Sequence, residues 1–154
     1  MPDNGYENKI VHSATFLVEV DGLEIGRFQE VSGLEVDVTV EDLEEGGENS
    51  FTHKLPGRMT WPNMVLKRGI TQTDNFLSWL NKSSGEQFSA QGNKLTRSTA
   101  AITLITAEGI RLRSWDFDGA FPVKWRGPTF ASGSADAAVE ELEIAHHGLR
   151  ARAN

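Results

Sequence analysis

The tightest constraint on this chain is a two-residue alternation of apolar and polar side chains that recurs along most of its length, punctuated by glycine turns. It is clearest where Leu34, Val36, Val38 and Val40 share one face while Glu35, Asp37, Thr39 and Glu41 share the other, the period of a half-buried strand. After Leu43 come Glu44, Glu45, Gly46, Gly47, Glu48 and Asn49, whose paired glycines permit a left-handed turn. A second extended run, residues 50–55, stops at Pro56-Gly57. The expectation is a protruding acidic hairpin over residues 40–55, too long and too polar on one face to serve only as a core closure. Such an element points toward another molecule.

The same alternation predicts strands over residues 12–20 and 23–31, joined at Asp21-Gly22, a dipeptide suited to a tight type I′ turn. A short strand over 63–67 follows the hairpin. The periodicity then changes: Thr71, Thr73 and Asp74 offer caps, and Phe76, Leu77, Trp79 and Leu80 recur at helical spacing until Ser83-Ser84-Gly85. One helix over 74–82 is expected to lay an apolar stripe on the sheets. Strands resume over 96–106, 110–117, 123–125 and 139–146, with turns at Glu108-Gly109 and Asp118-Gly119. Residues 1–9 read as a mobile arm, 10–150 as a single domain and 151–154 as a tail. The fold class is mainly β: a small β-barrel or two-sheet sandwich with one α-helix and a long protruding hairpin.

Composition narrows the function classes. At 154 residues with 38% hydrophobic content the chain can bury a core as one domain. No apolar run approaches the roughly 20 residues that span a membrane, and residues 1–5 lack the basic start and apolar stretch of a secretory signal. Synthesis in the cytoplasm without a signal peptide, and no membrane insertion, are therefore expected. The absence of cysteine excludes disulfides, thiol nucleophiles and thiolate metal sites. A formal net charge of -7 argues against a phosphate-gripping surface. Residues 28–53 contain no Lys or Arg, whereas Lys94, Arg97, Arg111, Arg113, Lys124 and Arg126 gather later. One part of the chain could thus complement another across copies of the same protein.

Candidate chemistry is sparse. His12, His53, His146 and His147 are the only histidines, and an adjacent pair on a strand points to opposite faces, poor geometry for one metal. Asp42, Glu44, Glu45, Glu48 and Asn49 lack the alternating spacing of a calcium loop, and solvated hairpin acids explain them better. Ser32-Gly33, Ser83-Ser84-Gly85 and Ser132-Gly133-Ser134 do not form a nucleophile elbow, and turn chemistry accounts for them. No catalytic residue, cofactor or metal site is assigned. Trp61, Trp79, Trp115 and Trp125 could form a carbohydrate platform on a sandwich, although core packing is their commoner fate. Arg111, Arg113 and Trp115 are expected to share an outer strand face opposite Ile110 and Leu112 and to meet an acidic partner, with residues 110–112 offering an edge for pairing.

The sequence resembles the tail-tube family of contractile phages and phage-like injection systems. The likeness is carried in order by Phe28-Gln29-Glu30-Val31-Ser32-Gly33-Leu34, Gly46-Gly47, Leu55-Pro56-Gly57 and Leu66-Lys67-Arg68-Gly69. It continues through Trp115-Asp116-Phe117-Asp118-Gly119-Ala120-Phe121-Pro122-Val123-Lys124-Trp125 and Glu140-Glu141-Leu142-Glu143-Ile144-Ala145-His146-His147-Gly148-Leu149. The resemblance implies a structural, non-enzymatic subunit that self-assembles into stacked, six-membered rings. A sheet from each subunit would join its neighbours around a lumen, and the hairpin would reach an adjacent subunit or ring. Implied partners are the protein itself, sheath, baseplate and spike proteins, and a luminal cargo of protein effector or DNA, in a phage tail or a releasable phage-like particle. The expected subunit interface comprises Glu41, Asp42, Glu44, Glu45, Gly46, Gly47, Glu48, Asn49 and Phe51 on the hairpin, with Arg111, Arg113 and Trp115 on the strand face. The alternative is a monomeric β-sandwich module binding polysaccharide or peptide through its tryptophans.

Overall fold

The computed structural model describes residues 14–44, 46–47, 50–70, 75–84, 92, 97–128, 133 and 138–152. The expected arm over 1–9 and the helix caps at 71–74 lie outside them. Strand β1 (Thr15–Val20) turns back at Asp21-Gly22 into β2 (Leu23–Phe28). Both turn residues have positive φ, 50° and 81°, as a type I′ hairpin demands. The strand expected over 23–31 is in fact two, because the chain bends at Gln29, whose N–H donates to the Lys67 carbonyl at 2.9 Å. It continues as β3 (Glu30–Ser32), which pairs with β6 (Met64–Gly69) instead of β1.

Between β3 and β6 lies a separate two-stranded ribbon of β4 (Asp37–Leu43) and β5 (His53–Thr60). The remaining elements are α1 (Asn75–Ser84), β7 (Ser98–Ile105), β8 (Arg111–Arg126), β9 (Val139–Ala145) and β10 (Gly148–Arg152). The main sheet runs β2-β1-β7-β8-β9-β6-β3, with β10 also on β8, and every pairing is antiparallel.

The turn expected at Asp118-Gly119 is a bend inside a single 16-residue strand, β8. Gly119 takes φ 61° there, and a side-chain β-carbon would come within 2.9 Å of His147 Nδ1. Glycine therefore lets the strand pivot without ending it. Its first half pairs with β7 and β10, its second with β9. Since Phe121 faces Ala145 and Asp118 faces Gly148, β9 and β10 follow one another along the same edge.

Bends at Gln29 and Gly119 carry the chain from one wall into the other, and β2 also lies against β6. The expected alternatives, barrel and sandwich, thus merge into a barrel of two continuous walls. One wall contributes Val18, Val20, Phe28, Ile102 and Phe117 to the core, the other Met64, Leu66, Leu142 and Ile144. Helix α1 adds Phe76 and Trp79, whose rings meet edge-on at 5.8 Å. Their three-residue spacing puts both on the helix face that covers the barrel.

Candidate subunit interface

The β4–β5 ribbon is built by register but not by burial. Val38 faces Met59, Val40 faces Pro56, Glu41 faces Leu55 and Leu43 faces His53. Pro56-Gly57, expected to stop the strand, lies inside β5. The chain absorbs it at a bulge opposite Thr39, whose hydroxyl accepts the Arg58 N–H at 2.7 Å. A two-stranded ribbon has two edges and no central strand, so proline is tolerated there.

The alternation of β4 was expected to bury one face. Instead every residue of β4 is exposed, and so are Val36, Val38 and Val40. Leu43, Phe51, Leu55 and Met59 add to them, Phe51 at 58%. An isolated hairpin is marginal in water, and apolar side chains gathered on one protrusion signal a missing partner. Of the expected hairpin contacts, Glu41, Asp42, Glu44, Gly46, Gly47 and Phe51 lie on or beside this ribbon. Glu45, Glu48 and Asn49 fall outside the described residues. Asp42 is already engaged across the ribbon by Lys54 at 3.4 Å, both side chains exposed.

Arg111, Arg113 and Trp115 do not share a face. Arg113 stands opposite Leu104 and Arg111 opposite Ile105, so Leu112 is an inserted bulge residue and the two-residue period breaks. Arg111 turns to the face bearing Glu19, its ion-pair partner at 3.7 Å. The guanidinium of Arg113 lies over the Trp115 ring at 5.7 Å, and Trp115 packs against the core. Residues 111–113 also pair with β7. The edge of β8 left without a described strand is farther on, at 121–126, where neither β7 nor any other described strand continues opposite β9.

Two polar features escaped the sequence reading. Arg68, 3% exposed, donates from Nε to Glu140 Oε1, while Trp125 Nε1 donates to Glu140 Oε2 at 3.0 Å. The Arg68 guanidinium also lies over the Phe28 ring at 4.9 Å. The signal was available: Arg68 shares the parity of Met64 and Leu66, and Glu140 that of Leu142 and Ile144, so both belong to core positions. His146 is likewise buried, its Nδ1 accepting the Gly148 N–H and its Nε2 meeting the Pro62 carbonyl, each at 3.2 Å. Burial holds its pKa below the ordinary 6.5, against the raising effect of the bond to the Pro62 carbonyl.

The tryptophans form no common platform. Trp79 is buried beneath α1, Trp115 packs on the core, Trp61 lies against His146, and Trp125 is tied to Glu140. Among the described residues no cluster of His, Asp and Glu could hold a metal ion.

Residues 12–150 match the T4-like virus tail tube protein gp19 family. The chain belongs to that family. It is a tail tube protein, a structural subunit and not an enzyme. No curated protein matches it. Among solved structures it is similar to a chain of the PVC sheath-tube complex of an extracellular contractile injection system in its extended state. The two are 25% identical, with TM-score 0.77, over 96% of this chain and 94% of that one. A chain of the anti-feeding prophage tube-terminating cap shares the fold at 21% identity and TM-score 0.73, each chain covered in full at 100%. An Hcp protein shares it more distantly, at 12% identity and TM-score 0.54 over 89% of each chain. No helix among the described residues of this tail tube protein is long and apolar enough to cross a membrane.

Proposed function

We propose that this protein is the repeating subunit of the inner tube of a contractile injection system or contractile phage tail, forming stacked six-membered rings around a lumen. The observation that carries the reading is the β4–β5 ribbon, which exposes Val38, Val40, Leu43, Leu55 and Met59 on a hairpin that no other described strand supports. Burying such side chains is worth about 25 cal/mol for each Å² removed from water. A neighbouring copy is the partner that a self-assembling tube supplies in fixed stoichiometry.

In this reading Glu41, Asp42, Glu44, Glu45, Glu48, Asn49 and Phe51 contact the next subunit or ring. Sheath surrounds the tube, baseplate and spike lie at one end, and a protein effector or DNA passes through the lumen. The relatives of known structure come from a sheath-tube complex and a tube-terminating cap, which supports the sheath and the stacking. The monomeric binding module loses its basis with the dispersed tryptophans.

Replacing residues 44–49 by a two-residue turn tests this contact. Loop length alters closure entropy only slowly, so the subunit should keep its cooperative melting while sedimentation shows assembly weakened. Full-length rods from the shortened protein would remove the ribbon from the interface.

A further inference from the structure

The outer face of the β8-β9-β6-β3 wall carries a row of charges of alternating sign. Register places Glu30 of β3 opposite Lys67 of β6, Lys67 opposite Glu141 of β9, and Glu141 opposite Arg126 of β8. Lys67 Nζ lies 3.9 Å from both Glu30 and Glu141 carboxylates. On the opposite face, the neighbouring row of Val31, Leu66 and Leu142 turns inward.

The row ends unmatched on both sides. Glu30 sits on the last strand of the sheet, and Arg126 is exposed, paired with no described residue, on the stretch of β8 whose second edge faces no described strand. Lys124 ends the parallel row through Glu143 in the same way.

We propose that this row continues from one subunit to the next: Arg126 of one copy lies beside Glu30 of its neighbour, as β8 of the first pairs with β3 of the second. The inference rests on the tube reading above and adds its register. Three features favour a second copy of this chain. The wall has four strands in alternating direction, so its two edge strands run oppositely and meet antiparallel when copies join head to tail. Four charges of alternating sign leave an acid at one end and a base at the other, so the alternation carries through every junction whatever the ring number. Opposite charges across strands stabilise a pairing, whereas a shift by one row sets Arg126 beside an uncharged neighbour or turns the wall's faces over.

Cysteine pairing reads the junction directly, because the chain contains no native cysteine. Strands lie about 4.8 Å apart, so Glu30 and Arg126 of one subunit are separated by roughly 14 Å, well beyond the ~7 Å Cα limit for a disulfide. Copies in the proposed register bring them to roughly one strand spacing. The Glu30→Cys, Arg126→Cys double variant, assembled and then oxidised, should give covalent multimers on a non-reducing gel, while each single variant gives no more than dimers. Rods that stay monomeric on the gel would overturn the register and leave the tube reading intact. Wild-type protein that never assembles would overturn both.

If the double cysteine variant fails to assemble, charge exchange decides. Glu30→Lys or Arg126→Glu alone should raise the protein concentration needed for assembly roughly fivefold at low salt. The two together should restore it. Failure of the exchange to restore assembly, with subunits that still melt cooperatively, would overturn the junction.

Discussion

At the residue scale, the Arg68–Glu140 pair shows what alternation alone cannot say. The sequence places both side chains at core parity, but it does not reveal that two buried charges on β6 and β9 meet each other, nor that Trp125 supplies the second donor. Partner identity depends on register, which depends on where the strands bend. Truncating one member leaves the other charge buried. Glu140→Leu should therefore cost about 3–5 kcal/mol in urea unfolding of the dissociated subunit, and adding Arg68→Met should recover most of that loss. Equal stability of Glu140→Leu and wild type would show that Arg68 reaches water.

His146 gives the fold a pH dependence of its own. Its pKa is lowered by burial below 6.5, so the unfolded chain takes up the proton first as pH falls, and protonation favours unfolding. The stabilisation is complete above about pH 6.5 and is lost as pH drops from there toward the folded-state value. Thermal melting of wild type should fall across that window more steeply than that of His146→Gln. Parallel profiles would contradict this.

At the element scale, the Asp21-Gly22 hairpin, the helix and the long strand runs were legible, because each rests on a local rule: left-handed turn residues, a three-to-four residue apolar stripe, a period of two. The failures share one cause. Pro56-Gly57 and Asp118-Gly119 look like stops, yet β5 and β8 run through both, since a bulge or a positive-φ glycine can bend a strand that long-range pairing keeps in place. Strand β10 was missed because Gly148, Leu149 and Arg150 carry no alternation strong enough to announce it; β8 recruits it through register continued from β9. The bulge at Leu112 separated Arg111 from Arg113 in the same way.

The helix permits a direct check. Phe76 is 1% exposed and braced edge-on by Trp79, so Phe76→Ala should destabilise the subunit by about 3–5 kcal/mol. A near-native melting temperature would mean that α1 rests only loosely on the barrel.

At the scale of the whole molecule, the alternation and the paired glycines of residues 34–55 specify a protrusion, and the family match gives that protrusion a setting. What the sequence concealed is how little of the ribbon the chain itself buries. Alternation in β4 reads as a half-buried strand, yet every residue of β4 is exposed in the subunit; in the proposed tube a second copy supplies the burial. A lone subunit should accordingly be the minor species in solution. Light scattering of the purified wild-type protein across a dilution series measures this most directly. The account predicts particles of at least ring mass that persist on dilution and grow into rods with concentration; a 17.0 kDa monomer at every concentration would contradict it.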